Sequence, residues 1–96
     1  MNISDYGKAS RDELLAELVT VSDFLAAHHS LLAAATSDRE RVYWKTYDER
    51  DPTETVSARD KAATSASLAN QVDVIDIRGE IDAYKVRIAL IRDLLA

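Results

Sequence analysis

Residues 14–42 of this chain read LLAELVTVSDFLAAHHSLLAAATSDRERV, and apolar side chains recur in this stretch at intervals of three and four residues. The recurrence is carried by Leu14, Leu18, Val21, Leu25, His28, Leu32, Ala35 and Val42. Such spacing brings side chains to one narrow face of an α-helix, the kind of face that packs against other helices. The stretch therefore predicts a long amphipathic helix.

A second run near the end of the chain repeats the same spacing, in Val74, Ile77, Ile81, Tyr84, Ile88, Ile91 and Leu95. Residues 71–77 also alternate like a strand, but no second strand is visible to pair with them, so helix is favoured. The fold class is therefore predicted to be all-α, a long antiparallel helical hairpin. Because alanine makes its core thin, we expect it to assemble into a homo-oligomeric helical bundle.

The ends of the two helices are marked by capping and turn residues. Ser10 and Glu13 form the S-x-x-E capping box that opens a helix, which is predicted over about 11–50. Asp51 precedes Pro52, which disfavours helix at Asp51 and suits the start of a new one. A turn is expected at 51–56, with Asp51 as a candidate N-cap.

The second helix is predicted over about 57–95, and residues 10–96 form a single hairpin domain. Residues 1–9 are expected to be a flexible N-terminal arm.

Two structural questions stay open at this point. Ser37 and Glu40 form another capping box, so the first helix either passes through 36–38 or breaks there, giving three helices. Gly79 either lets a helix approach closely beneath Phe24 or is a tolerated weak spot.

Composition narrows the classes of function. The 96 residues include 12 basic and 17 acidic side chains, giving a net charge of −5, and no cysteine. The acidic balance argues against direct binding of nucleic acid or anionic membrane. Disulfides and thiolate metal sites are excluded. Residues 1–10 lack the apolar core of a signal peptide, and charges recur along the chain, so we expect a cytoplasmic protein that does not cross a membrane.

The titratable residues form no catalytic or metal-binding motif. His28 and His29 are neighbours and point about 100° apart on a helix, so they cannot chelate one metal. The hairpin register places His28 near Asp76, where it either sets packing and register or senses pH. Asp73, Asp76 and Glu80 are interpreted as a solvated acidic face. We therefore expect no enzyme activity, no cofactor and no metal.

Two sets of residues are candidates for protein contacts. The predicted protein interface consists of the seam residues Leu14, Leu18, Val21, Leu25, His28, Leu32, Ile77, Ile81, Tyr84, Ile88, Ile91 and Leu95. A possible partner surface consists of Arg39, Arg41, Tyr43, Trp44 and Tyr47, because tryptophan, tyrosine and arginine are the usual hot-spot residues of interfaces. Alternatively, Trp44 and Tyr47 only cap the core of the hairpin.

The chain resembles the secreted helical-hairpin proteins of type VII systems in length, lack of cysteine, acidic balance and the position of Trp44 near the tip. Where those proteins carry Trp-x-Gly, this chain has Trp44-Lys45-Thr46. Its Tyr-x-x-x-Asp match, Tyr47 to Asp51, precedes the second helix instead of following it. The likeness is one of gross shape and implies an obligate heterodimer.

Three functions follow as hypotheses. The first is a non-enzymatic interaction or accessory protein that associates with itself and binds another protein. The second is the obligate heterodimer partner that the type VII likeness implies. The third is a small regulator of a nucleic-acid-binding protein.

Overall fold

The computed structural model describes residues 1–96 and contains helices and no strand. A 3₁₀ helix at Ile3–Lys8 is followed by α1 at Arg11–Glu49, α2 at Val56–Ala66 and α3 at Leu68–Leu95. The prediction of an all-α, hairpin-like chain is confirmed.

The start of α1 is held by the capping box that its sequence predicts. The Glu13 amide donates to Ser10 Oγ at 3.1 Å, and the Ser10 amide donates to Glu13 Oε1 at 3.0 Å. This backbone hydrogen bond from Ser10 holds the pKa of Glu13 below its ordinary value. Further along, α1 continues without a break through Thr36 and Ser37, so the second capping box is not used.

In the turn after α1, Asp51 does not cap the second helix as the sequence predicts. Asp51 Oδ1 instead accepts hydrogen bonds from the Thr53 amide at 2.9 Å and from Thr53 Oγ1 at 2.8 Å. Such a local turn is what a short carboxylate side chain favours. The hydrogen bond from the Thr53 amide lowers the pKa of Asp51. The cap of α2 is Thr55, whose Oγ1 accepts from the Ala58 amide at 3.1 Å.

The second half of the chain is two helices, whereas one continuous helix over 57–95 is predicted. The break lies at Ser67, where φ is −94° and ψ is 6°. Ser67 Oγ donates to the Ala63 carbonyl at 2.9 Å. The buried Ser67 hydroxyl therefore finds its acceptor one turn earlier on the same helix. Serine hydroxyls that bond back in this way bend helices. The break is therefore a local effect of one serine.

The chain divides into two compact units. The terminal unit comprises Met1–Ser30 and Arg78–Ala96, and the turn unit comprises Leu31–Ile77. In the terminal unit, Arg11 Nη1 donates to the Leu95 carbonyl at 3.1 Å, so the start of α1 lies beside the end of α3.

The first nine residues, expected to be a flexible arm, contain a 3₁₀ helix and one buried side chain, Tyr6. Tyr6 is only 2% exposed and forms a core cluster with Leu14 and Ile91. Arg87 Nη1 donates to Tyr6 Oη at 3.2 Å and to the Met1 carbonyl at 3.1 Å. The sequence shows no periodicity here because a 3₁₀ helix of about two turns buries one side chain and forms no apolar seam.

An ion pair also joins the start of the chain to α1. The amino group of Met1 lies 3.4 Å from Glu17 Oε2, which makes an ion pair but is too long for a strong hydrogen bond. The ion pair, together with the Arg87 hydrogen bonds, holds the 3₁₀ helix against α1 and α3 of the terminal unit.

The register between α1 and α3 in the terminal unit differs by about one turn from the prediction. Phe24 packs beside Tyr84, with 5.9 Å between ring centroids, and not against Gly79. A methyl group placed at Gly79 would meet nothing within 4 Å. The prediction that Gly79 lets a helix approach Phe24 closely is therefore wrong.

One helix qualifies on length and composition as a membrane span. α1 contains an 18-residue window that is apolar enough and low enough in charge to cross a bilayer. Core helices of soluble proteins and signal sequences near the N-terminus meet the same criterion. The expectation that recurring charges exclude any span does not hold for this window.

Candidate protein-binding site

Three aromatic rings gather on the last turns of α1, in the turn unit. Trp44 lies edge-on to Tyr43 and to Tyr47, with ring centroids 4.9 Å and 5.4 Å away. Tyr43 and Tyr47 are stacked at 6.2 Å. Residues three and four apart share a helix face, so α1 itself brings Tyr43 and Tyr47 together. Trp44 remains 55% exposed, which makes it the accessible ring of the cluster.

Arg59 of α2, on the other side of the turn, contacts this aromatic cluster. Its guanidinium carbon lies 4.2 Å from the centroid of the Tyr47 ring, a cation–π contact. Arg59 Nη2 and Nε also donate to the Tyr47 carbonyl at 3.0 Å and 3.2 Å. That carbonyl belongs to the last turn of α1, where a cation is favourable. One arginine therefore both ends α1 and fixes the orientation of an aromatic ring.

Asp60, the next residue on α2, holds Tyr43. The Tyr43 hydroxyl donates a short hydrogen bond to Asp60 Oδ1. This hydrogen bond raises the pKa of Tyr43 above its ordinary value, because the carboxylate accepts from the protonated phenol and opposes a second negative charge. Tyr43 and Tyr47 are thus both tied to α2, and Trp44 is the ring left free to contact something else.

A groove of about 280 Å³ opens beside Trp44. We call it the Trp44 groove. Its walls are formed by Arg39, Glu40, Tyr43, Trp44, Thr64, Ser67, Leu68 and Gln71. The groove lies at the Ser67 break between α2 and α3. Leu68, the first residue of α3, contributes an exposed apolar side chain to its wall.

Arg39 is the positive group in the Trp44 groove. Its Nη1 donates to Gln71 Oε1 at 2.6 Å, which bridges α1 and α3 within the turn unit. The guanidinium has further N–H groups that can donate to a ligand. The groove therefore combines an exposed indole and an apolar wall with one charged hydrogen-bond donor, the mixture typical of an interface hot spot.

Four of the five residues predicted as a partner surface are brought together. Arg39, Tyr43 and Trp44 line the groove, and Tyr47 stacks behind them. Arg41 lies elsewhere and pairs with Asp38 at 2.9 Å, one turn earlier on α1. Sequence reasoning missed Arg59, Asp60 and Leu68. The serine- and threonine-rich stretch around Ser67, which weakens helix propensity, was the available signal for the break.

The twelve residues predicted as an interface join the helices of one chain. Leu14, Val21, Ile81, Ile88 and Ile91 are buried within the single chain. The remaining seven are half-buried: Leu18, Leu25, His28, Leu32, Ile77, Tyr84 and Leu95. An intermolecular role for them stays a prediction, and the five buried residues can take it only if the hairpin opens.

His28 is paired with Glu80, and not with Asp76 as the predicted register implies. His28 Nε2 lies 2.5 Å from Glu80 Oε2, and its Nδ1 lies 2.8 Å from the Phe24 carbonyl. The Tyr84 ring approaches the imidazole edge-on at 4.9 Å. This change of partner follows from the one-turn shift in register between α1 and α3. The contacts agree with a polar seam residue that sets register in the terminal unit.

Three acidic residues of the turn unit line a separate groove. Asp38, Asp73 and Asp76 border a space of about 300 Å³ with Leu31 and Ile77 among its apolar walls. No group of three or more histidine, aspartate and glutamate side chains is close enough to hold a metal ion.

Comparison with protein-family models, with curated proteins and with solved structures found no match.

Proposed function

We propose that this protein is a non-enzymatic interaction protein that assembles with itself into a helical bundle and binds another protein at the Trp44 groove. One observation carries the proposal. Fourteen large hydrophobic side chains are exposed on the single chain, whereas only eight hydrophobic residues are buried. Six of the fourteen lie on α3 alone, and a contiguous exposed apolar patch marks a site of association.

The Trp44 groove is the part of that surface best suited to a different protein. Tyr43 in its wall is held by Asp60, and Tyr47 behind it is held by Arg59, so little conformational entropy is lost in these two rings when a partner binds. The proposal includes no direct contact with nucleic acid or membrane, no metal and no cofactor, and it places the protein in the cytoplasm.

Sedimentation equilibrium over a wide concentration range, with circular dichroism on the same samples, tests self-association. We expect a helical dimer or larger oligomer. A helical monomer at every concentration would contradict self-association. A poorly helical monomer would favour the alternative, an obligate heterodimer whose apolar faces await a different chain.

Binding at the Trp44 groove is tested by the fluorescence of Trp44, which is the only tryptophan in the chain. A partner that covers the groove shifts its emission to shorter wavelength. Trp44→Ala, which lacks this fluorophore and is therefore assayed by calorimetry, weakens binding by at least about tenfold. Phe24→Ala, which removes another exposed ring, is the matched control and leaves binding unchanged.

A further inference from the structure

Helix α3 has two apolar faces. One is buried and includes Val74, Ile81, Ile88 and Ile91. The other, which we call the outer face of α3, points away from it, and its six large side chains are between 38% and 58% exposed. They are Leu68, Val72, Ile75, Val86, Leu90 and Leu94. A surface helix needs only one apolar face to pack in its own chain, so apart from Leu68, which lines the Trp44 groove, the outer face has no role within this one.

Two small residues complete the outer face at its middle. With Gly79 and Ala83 included, the spacing from Leu68 to Leu94 is 4, 3, 4, 4, 3, 4 and 4 residues, which is the spacing of side chains on one face of an α-helix. Gly79 and Ala83 are both exposed. Between the larger Ile75 and Val86 they leave a shallow depression in the apolar surface.

No contact within the chain explains why residue 79 is a glycine. Glycine in a helix interior costs up to about 1 kcal/mol relative to alanine. Its backbone is helical and has no positive φ that would require glycine. A methyl group there would meet nothing within 4 Å. What glycine does supply is room for another backbone to approach closely.

The outer face is self-complementary. Outward from the centre, Gly79 and Ala83 are followed on both sides by larger residues, ending in Leu68 and Leu94. If a second copy of α3 runs antiparallel, the small residues of one helix face those of the other, and Leu68 faces Leu94. A two-fold interface requires this property, since the same patch must fit itself. A partner of different sequence would not require it.

The exposed area of the chain is also large enough to supply such an interface. The chain exposes 6502 Å², whereas folded monomers of 10.7 kDa expose about 5,500 Å². A standard interface covers about 800 Å² on each partner. The excess is therefore of the size that one such interface would bury.

We propose that the outer face of α3 is the surface through which two copies of this chain associate, antiparallel, with the helices crossing at Gly79 and Ala83. This rests on the self-association in the proposed function and identifies where it occurs. The buried seams then stay within each chain, and the Trp44 groove remains open to another protein except at Leu68, which belongs to both surfaces.

The first test adds bulk at the crossing point of the full chain. Gly79→Leu is expected to raise the dissociation constant at least about tenfold in sedimentation equilibrium, because an oversized side chain separates the packed helices. Its helicity by circular dichroism should not fall, since leucine favours helix and its Cβ would meet nothing within 4 Å. Ala27→Leu, which adds bulk at an exposed position on α1, should leave the dissociation constant unchanged.

The second test reads the direction of the helices. Because the chain has no cysteine, Leu68→Cys and Leu94→Cys introduce single thiols. Under mild oxidation an antiparallel pair gives a disulfide-linked dimer only when the two variants are mixed. Cross-linking of Leu68→Cys with itself would show a parallel pair and overturn the proposal.

The outcomes separate this proposal from the proposed function. A wild-type chain that is monomeric at all concentrations overturns both. A wild-type oligomer that is unaffected by Gly79→Leu and shows no cross-link between residues 68 and 94 overturns only the assignment to the outer face of α3.

Discussion

At the scale of single residues, polar side chains determine where helices begin, end and bend. Ser10 and Glu13 open α1, Thr55 opens α2, and Ser67 separates α2 from α3. Ser10, Glu13 and Thr55 accept hydrogen bonds from amides that the helix starts leave unpaired, whereas the Ser67 hydroxyl bonds back to the Ala63 carbonyl.

The Ser10 cap predicts a measurable loss of stability. Ser10→Ala removes the acceptor for the Glu13 amide, and we expect it to lower the free energy of unfolding by about 1 kcal/mol. Urea denaturation measures this loss. Ser30→Ala, at an exposed position inside α1, is the control and should change stability by less than about 0.5 kcal/mol.

The same cap predicts a pH dependence. Because the fold lowers the pKa of Glu13, its contribution is present above the ordinary glutamate pKa and is lost as pH falls through the lowered value. The stability of the wild type should therefore fall more steeply in acid than that of Glu13→Gln. Parallel curves below pH 5 would contradict this assignment.

The hydrogen bond between Tyr43 and Asp60 predicts the titration of one phenol. The fold raises the pKa of Tyr43, so Asp60→Asn should lower it towards the ordinary tyrosine value. Nuclear magnetic resonance of ¹³C-labelled tyrosine follows each phenol separately. Asp48→Asn, which removes another exposed carboxylate of this region, serves as the control. An unchanged Tyr43 titration in Asp60→Asn would disprove the contact.

At the scale of elements, the helices are held by few buried side chains. Ile91 and Val74 are fully buried, and Ile91 joins Tyr6 and Leu14 in the core of the terminal unit. Because the core is small, each of these contacts is a large part of the total stability.

Ile91→Ala should therefore lower the free energy of unfolding by about 2–5 kcal/mol, through lost burial and the cavity left behind. Val19→Ala also shortens an aliphatic side chain in the terminal unit, but at a position 62% exposed, and should cost less than about 0.5 kcal/mol. Thermal or urea denaturation compares the two. Equal losses would mean that Ile91 is not a core residue.

At the scale of the whole molecule, the balance of buried and exposed apolar side chains links folding to association. If oligomers form, the melting temperature should rise with protein concentration, because association stabilises only the folded chain. Calorimetry over a hundredfold range of concentration measures this. Melting curves that superimpose over that range would indicate a chain that folds and remains alone.

The sequence alone was sufficient for the helical class, the Ser10–Glu13 cap and the position of the turn, since spacing, capping and proline act within a few residues. It also brought Tyr43, Trp44 and Tyr47 to one end of α1. The one-turn shift in register, the contacts of Arg59 and Asp60, the packing of Tyr6 and the groove at Ser67 join residues distant in sequence. Those features depend on how side chains fit between helices, and only the tertiary structure decided them.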